Sequence, residues 1–367
     1  MIYVHVPFCR SFCTYCDFYS ELACRGRDED AFERYADGVC SEAGARRAEI
    51  ADTLGTNTLY IGGGTPSVLP LSCLARMVDS VKSAVAGPFT EFTVEVNPDD
   101  IVEKGPAYLA GLRGLGVNRI SMGVQSLNDR MLRWMNRRHD ADGARKAFSL
   151  LREAGFDNLS VDIIFGIDPS VVGGESFDDS LRNTLEEIIG WDPEHISAYQ
   201  LSVEEGSALG KMAADGRYTE ASDLQCASQY EFICGQLREA GYNHYEISNW
   251  ARPGKEAVHN SAYWSRAPYV GLGPGAHSLS ADGMNRSWNS ESLDGWTSEG
   301  EELDPGEVQE ERIMLGLRTS RGIPASLVVG QAADSMLSLG LLELADGFIR
   351  IPESKFFVSD NIITQLI

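Results

Sequence analysis

Long apolar runs are missing from this sequence: no 18 consecutive apolar residues occur in its 367, so no membrane-spanning helix is expected. Positive charge is scarce too. The 31 lysines and arginines face 54 aspartates and glutamates, for a formal net charge of −23. Such a field repels phosphate backbones and anionic lipid surfaces, and a cluster as small as Arg137-Arg138-His139 does not reverse it. A nucleic-acid-modifying role is therefore disfavoured. No charged start, apolar stretch and small-residue cleavage site precede the first cysteine, so a reduced, cytoplasmic protein is expected rather than a disulfide framework. Short-period repeats and low-complexity tracts are also absent. Core-forming material is plentiful: 43% of the residues are hydrophobic, enough for one large barrel and a smaller domain.

Residues 1–250 alternate between β-rich runs and charged amphipathic stretches. Strands are predicted over 2–7, 56–61, 89–96, 117–123, 158–165 and 195–201, and helices over 30–50, 72–86, 142–154 and 177–189. Glycine or proline marks many changes of element, as at Gly111–Gly114 and Gly155. Strict alternation favours parallel strands with right-handed crossovers, although periodicity alone leaves a doubly wound sheet open. The carboxyl ends of the predicted strands collect the unusual residues: a cysteine loop, Gly62-Gly63-Gly64-Thr65, Glu95, Gln125, Asp162 and Tyr199-Gln200. In barrels that rim is where chemistry is assembled. After residue 250 the alternation stops. A segment rich in glycine and aromatics (251–304) contains an acidic linker from 299 that runs on to 311. The last stretch (305–367) reads as helix, helix and hairpin, with turns at Gly322-Ile323-Pro324 and Asp346-Gly347.

The cysteine loop is Cys9-x3-Cys13-x2-Cys16. Three thiolates can hold three corners of a 4Fe–4S cluster and leave one iron open. A zinc site would want a fourth ligand, and the nearby candidates, His5 and Cys24, fit no common zinc spacing. The scattered cysteines, Cys40, Cys73, Cys226 and Cys234 among them, read as reduced, packed thiols. The triplet resembles the signature of the radical S-adenosylmethionine superfamily, in which the open iron chelates the cofactor and an electron cleaves its sulfonium. Phe18 and the lead-in Tyr3-Val4-His5-Val6-Pro7-Phe8 narrow the resemblance to the oxygen-independent coproporphyrinogen III oxidase group.

That resemblance implies an α/β fold: an incomplete (β/α)6 TIM-like barrel over 1–250, with a small C-terminal α+β domain over the open side. It also implies where S-adenosylmethionine sits. Gly62, Gly63 and Gly64 lack side chains, so backbone can approach a ligand, with Thr65 beside them. Glu95 would meet the ligand's ammonium group. Asp162, in the apolar run Val161–Phe165, is costly to bury unless paired. Gln125 and Arg137 complete the set, and Tyr3 packs near it.

His259-Asn260-Ser261-Ala262-Tyr263-Trp264 matches the HNxxYW motif of the haem-chaperone (HemW-type) branch of this group. His259 is the expected ligand of haem iron, with Tyr263 and Trp264 against the porphyrin. His277, in a Gly-rich loop, is expected to approach the same site, and His5, His139, His195 and His244 are read as structural. The oxidase has a cysteine where this chain has Phe18, and a long N-terminal segment where only eight residues precede Cys9. Both differences favour a cytoplasmic haem-binding and haem-transfer protein over the decarboxylase. Its implied partners are haem and haem-dependent respiratory acceptor proteins, with room for a transient membrane-protein contact and a homodimer. Productive cleavage of S-adenosylmethionine is left open.

Overall fold

The computed structural model describes residues 1–23, 29–53, 55–167, 171, 177–328 and 330–367; Cys24 lies outside the described residues. Six parallel strands, β1 (Ile2–Val6), β2 (Thr58–Gly63), β3 (Glu91–Val96), β4 (Arg119–Gln125), β5 (Leu159–Phe165) and β6 (His195–Gln200), lie side by side in chain order. Their near-continuous apolar runs are buried on both faces, as a parallel sheet covered by helices requires. The sheet does not close. It is extended past β6 by antiparallel β8 (Asn249–Ala251) and β7 (Asn243–Glu246), and past β1 by β9 (Val270–Leu272), which runs parallel to β1. The expected incomplete barrel is thus an open nine-stranded sheet with the six predicted strands at its centre.

Helices alternate with these strands: α1 (Glu29–Ala45), α2 (Leu71–Lys82), α3 (Pro98–Leu115), α4 (Ala141–Glu153), α5 (Phe177–Gly190) and α6 (Asp223–Glu239). Their inward stripes supply the core. In α2, Leu74, Met77, Val78 and Val81 are buried at the spacing of one helical face. In α4, Asp140 caps the first turn by accepting from Gly143 N at 2.8 Å, and Ala144, Ala147, Phe148 and Leu151 face inward. No helix among the described residues is long and apolar enough to cross a membrane.

Two boundaries differ from expectation. Gly111 and Gly114 lie inside α3, which runs on to Leu115. A Cβ at Gly111 would sit 2.0 Å from Leu71 Cδ2, so this glycine lets two helices pack rather than ending one. The acidic stretch from 299 is not a linker. Ser298–Glu302 pairs with Asn285–Asn289, and a helix, Pro305–Gly316, follows behind an Asp304–Glu307 capping box. Acidic residues on the exposed faces of a strand and a helix look the same in sequence as a solvated tether. Residues 323–350 form a three-stranded antiparallel sheet whose hairpin turns at Asp346-Gly347, where both residues have positive φ. This terminal unit joins the barrel at the β7 edge, where Thr319 bridges Glu246.

Candidate functional site

Strand β1 ends at Val6, and the chain turns at once into the cysteine loop. Short parallel pairing of Phe8–Cys9 with Glu21–Leu22 anchors that loop, and Gly64 N and Thr65 N donate to Val6 O and Phe8 O, both at 2.7 Å. The loop therefore rests on the end of β2. A Cβ at Gly64 would lie 2.8 Å from Phe8 O and 3.1 Å from Cys9 Sγ, so nothing larger than glycine fits beneath the loop. Gly63 has φ of 111°, and a Cβ there would meet the His5 ring at 2.7 Å.

Cys9, Cys13 and Cys16, all reduced and half-buried, stand at the mouth of a cavity of about 690 Å3. Cys9 Sγ is 3.5 Å from Thr65 Oγ1, and Arg137 Nη1 donates to Cys13 Sγ at 3.4 Å. Burial pushes the Cys9 thiol up, and the Cys16 thiol up to about 11. Ligated iron reverses that preference, because a coordinating thiol is deprotonated outright. Phe18, 71% exposed, also borders the cavity.

The cavity wall holds the other rim residues. Glu95 accepts from Tyr60 OH at 2.6 Å and from Gly63 N at 3.1 Å. Burial is the main cause that lifts its carboxyl to about 7, and Asp162 nearby adds to it. Asp162 is likewise raised by burial, against hydrogen bonds from Ser121 Oγ at 3.2 Å and Ser160 Oγ at 3.3 Å. Register explains its reach: Asp162 lies between Gly123 of β4 and Ser197 of β6. Arg137 Nη2 donates to Asn97 Oδ1 and Gly123 O, each at 2.7 Å. Gln125 borders the same space with φ of 68°, an unusual backbone for a side-chain-bearing residue. Gly62 and Tyr3 stand just behind: a Cβ at Gly62 would meet Glu95 Oε1 at 2.8 Å, and the Tyr3 ring is 6.1 Å from Tyr60. Tyr3 OH donates to His5 Nδ1 at 3.0 Å while Nε2 of His5 donates to Tyr19 O, so His5 has a structural job.

Several residues of the cavity carried no role in the sequence reading. Arg119 is 1% exposed, lines the cavity, and has an unpartnered Nε. It is the buried cation between Glu95 and Asp162, lowering both carboxyls against burial. Asn97 joins Arg137 to Thr65, to whose Oγ1 it donates at 3.1 Å. In sequence Arg119 is one charged residue inside the predicted strand 117–123; the register of β3, β4 and β5 sets its neighbours.

The HNxxYW segment lies elsewhere. It forms the short helix α7 (Val258–Trp264), whose first turn is held by Glu91 at the start of β3: Oε2 accepts from Val258 N at 2.8 Å and Oε1 from His259 N at 2.9 Å. This is the amino end of the strands, opposite the cysteine loop. His259 is 1% exposed, and both its ring nitrogens are engaged, Nδ1 with Thr58 Oγ1 at 2.8 Å and Nε2 with Tyr263 OH at 3.2 Å. Burial holds the imidazole neutral, down at about 3. Neither nitrogen is presented to a haem in this conformation. Asn260 points into the main cavity, whereas Trp264 borders a second cavity of about 670 Å3 shared with Arg312 and Arg321. His277 does not join His259. It is exposed, follows the Gly273–Gly275 turn beside His5 and Tyr19, and has Trp288 at 6.2 Å.

Three thiols and the carboxyls of Glu95 and Asp162 thus line one cavity. Residues 3–170 match the model of the radical SAM superfamily. Heme chaperone HemW of Mycobacterium tuberculosis H37Rv is 34% identical over 382 residues, covering 100% of this chain and 94% of that protein. Heme chaperone HemW of Bacillus subtilis 168 is 31% identical, covering 97% and 94%. The solved coproporphyrinogen III oxidase (HemN) from Escherichia coli, a radical SAM enzyme, superposes with a TM-score of 0.79 at 20% identity, over 100% of this chain and 89% of that one, which establishes the fold. The chain belongs to the radical SAM superfamily, within the heme chaperone HemW family.

Proposed function

We propose that this chain binds haem and passes it to haem-dependent respiratory proteins, and that it carries a 4Fe–4S cluster and S-adenosylmethionine. One observation carries the cofactor reading: Cys9, Cys13 and Cys16 share a single cavity with Gly63, Gly64, Thr65 and Glu95. Three thiolates suit three irons and leave the fourth for the ligand. The cavity suits the ligand as well. Glu95 and Asp162 share the Arg119 guanidinium as a counter-charge and are still raised by burial, so an incoming ammonium would add positive charge where it is favoured. When bound, the cluster supplies an electron to the sulfonium.

The chain's own residues do the holding. Glu95 in its ionised form accepts from the ammonium, fixed in place by Tyr60 OH and Gly63 N. Arg137, clamped by Asn97 and Gly123 O, keeps a cation beside Cys13. Haem capture is assigned to His259, Tyr263 and Trp264. Because both ring nitrogens of His259 are engaged, capture requires α7 to turn so that Nε2 exchanges Tyr263 OH for iron. The heme-chaperone relatives support haem as the cargo.

The test is anaerobic reconstitution followed by haem titration of wild type and His259→Ala. About four irons per chain and a stoichiometric Soret band that weakens in His259→Ala are expected. Wild type without stoichiometric haem binding would sink the chaperone reading, and an unchanged variant would remove His259 from it. Turnover of coproporphyrinogen III with matching 5′-deoxyadenosine would replace it with the oxidase reading.

A further inference from the structure

Far from both ends of the barrel, three different ligand types meet at the seam with the terminal unit. Cys234 on α6, His244 on β7 and Glu353 at the start of the turn Glu353–Val358 place one Sγ, one ring nitrogen and one carboxylate oxygen within 4.8 Å of one another. Cys234 Sγ is 3.9 Å from His244 Nδ1, and Nδ1 is 3.1 Å from Glu353 Oε1. A tetrahedral zinc, with bonds of about 2.0–2.1 Å to nitrogen and oxygen and 2.3 Å to sulfur, spaces such ligands about 3.4–3.6 Å apart. The two spacings to His244 Nδ1, 3.9 and 3.1 Å, are within half an ångström of those values.

The protonation pattern points the same way. Tyr230 OH spends its one proton on Ile247 O at 2.7 Å, so its oxygen can only accept from His244 Nε2 at 3.3 Å. With Nε2–H committed, Nδ1 faces a carboxylate oxygen of Glu353 at 3.1 Å. That contact repels unless a cation lies between them or the ring carries a second proton. The ring cannot turn away, since it stacks on Trp250 with centroids 4.1 Å apart and meets Phe356 edge-on at 5.0 Å. A ligating histidine whose other nitrogen is held by a polar partner is the usual second-shell arrangement of a metal site. Arg238 binds the other carboxylate oxygen, Oε2, at 2.9 Å and leaves Oε1 for the metal.

We propose that Cys234, His244 and Glu353 form a site for a divalent zinc-type cation, with water as the fourth ligand, that ties the terminal unit to the last helix and strand of the barrel. Thiolate and carboxylate together neutralise the ion. The site is independent of the cysteine loop.

The chain with Cys9, Cys13 and Cys16 all replaced by alanine, so that only this site can hold zinc, is incubated with zinc(II), desalted and assayed for metal. About one zinc per chain is expected, falling below about a tenth when Cys234→Val or His244→Gln is added. Cys234→Val keeps an apolar filler at a buried position and so guards against misfolding. Cobalt(II) gives a thiolate-to-metal charge-transfer band that Cys234→Val abolishes, and Glu353→Gln weakens zinc affinity at least about tenfold. In the cluster-loaded wild type, chelation lowers the thermal midpoint, and in Cys234→Val it does not. Zinc below a tenth per chain, or zinc retained by Cys234→Val, overturns the proposal and leaves the contact between His244 and Glu353 as a hydrogen bond alone.

Discussion

The two ends of the barrel are built on opposite principles. At the carboxyl end of the strands, buried charge is left incompletely compensated: Glu95 and Asp162 are both pushed up by burial, Arg119 has an orphaned Nε, and a glycine floor leaves backbone bare beneath three thiols. At the amino end the polar groups around His259 are paired. Glu91 holds two backbone N–H groups of α7, and Thr58 and Tyr263 occupy both nitrogens of His259. The first end has an energetic deficit that a cationic ligand would relieve; the second has a completed network whose opening costs stability.

Mutations that respect this contrast should separate binding from folding. The largest effect is expected from replacing Cys9, Cys13 and Cys16 together with alanine, which takes iron from about four per chain to none while the thermal midpoint of the iron-free protein barely moves. A fall of many degrees in that midpoint would show the loop to be structural. Next, Glu91→Ala strips two N–H groups of their acceptor at a buried helix start and should cost roughly 3 kcal/mol in chemical denaturation, with iron content unchanged. Iron loss in that variant would mean that the ends are coupled.

A subtler separation is in pH. With the Glu95 carboxyl at about 7 in the folded chain against an ordinary 4.5, its ionised fraction rises about tenfold between pH 6 and 8. Affinity for S-adenosylmethionine should rise about tenfold over that interval, by calorimetry, and be flat in Glu95→Gln. The same raised value means that the folded, ligand-free chain holds a proton the unfolded chain has lost, so its stability falls as pH climbs from 4.5 to 7 and levels above. Smallest is Thr58→Val, which orphans Nδ1 of His259 at a cost of about 1–2 kcal/mol and leaves the cysteine end untouched.

The contrast also marks what sequence could reveal. Alternation and glycine placement located all six parallel strands to within two residues, and the rim residues followed because each sits where a strand ends. Arg119 escaped because its importance comes from three neighbouring strands in register, not from its own string. The acidic run from 299 misled because solvent-facing helix and tether share a composition. His259 was legible as a motif, but the bond that engages its Nδ1 comes from Thr58, some two hundred positions away in the chain.

One consequence follows from the place of β1. It is not an edge: β2 flanks it on one side, and β9, made of Val270–Leu272, on the other. The strand that launches the cysteine loop near the start of the polypeptide thus lacks one of its two neighbours until roughly three quarters of the chain has left the ribosome. A chain stalled or cut before residue 270 would carry the three sulfurs without the second strand that steadies their loop.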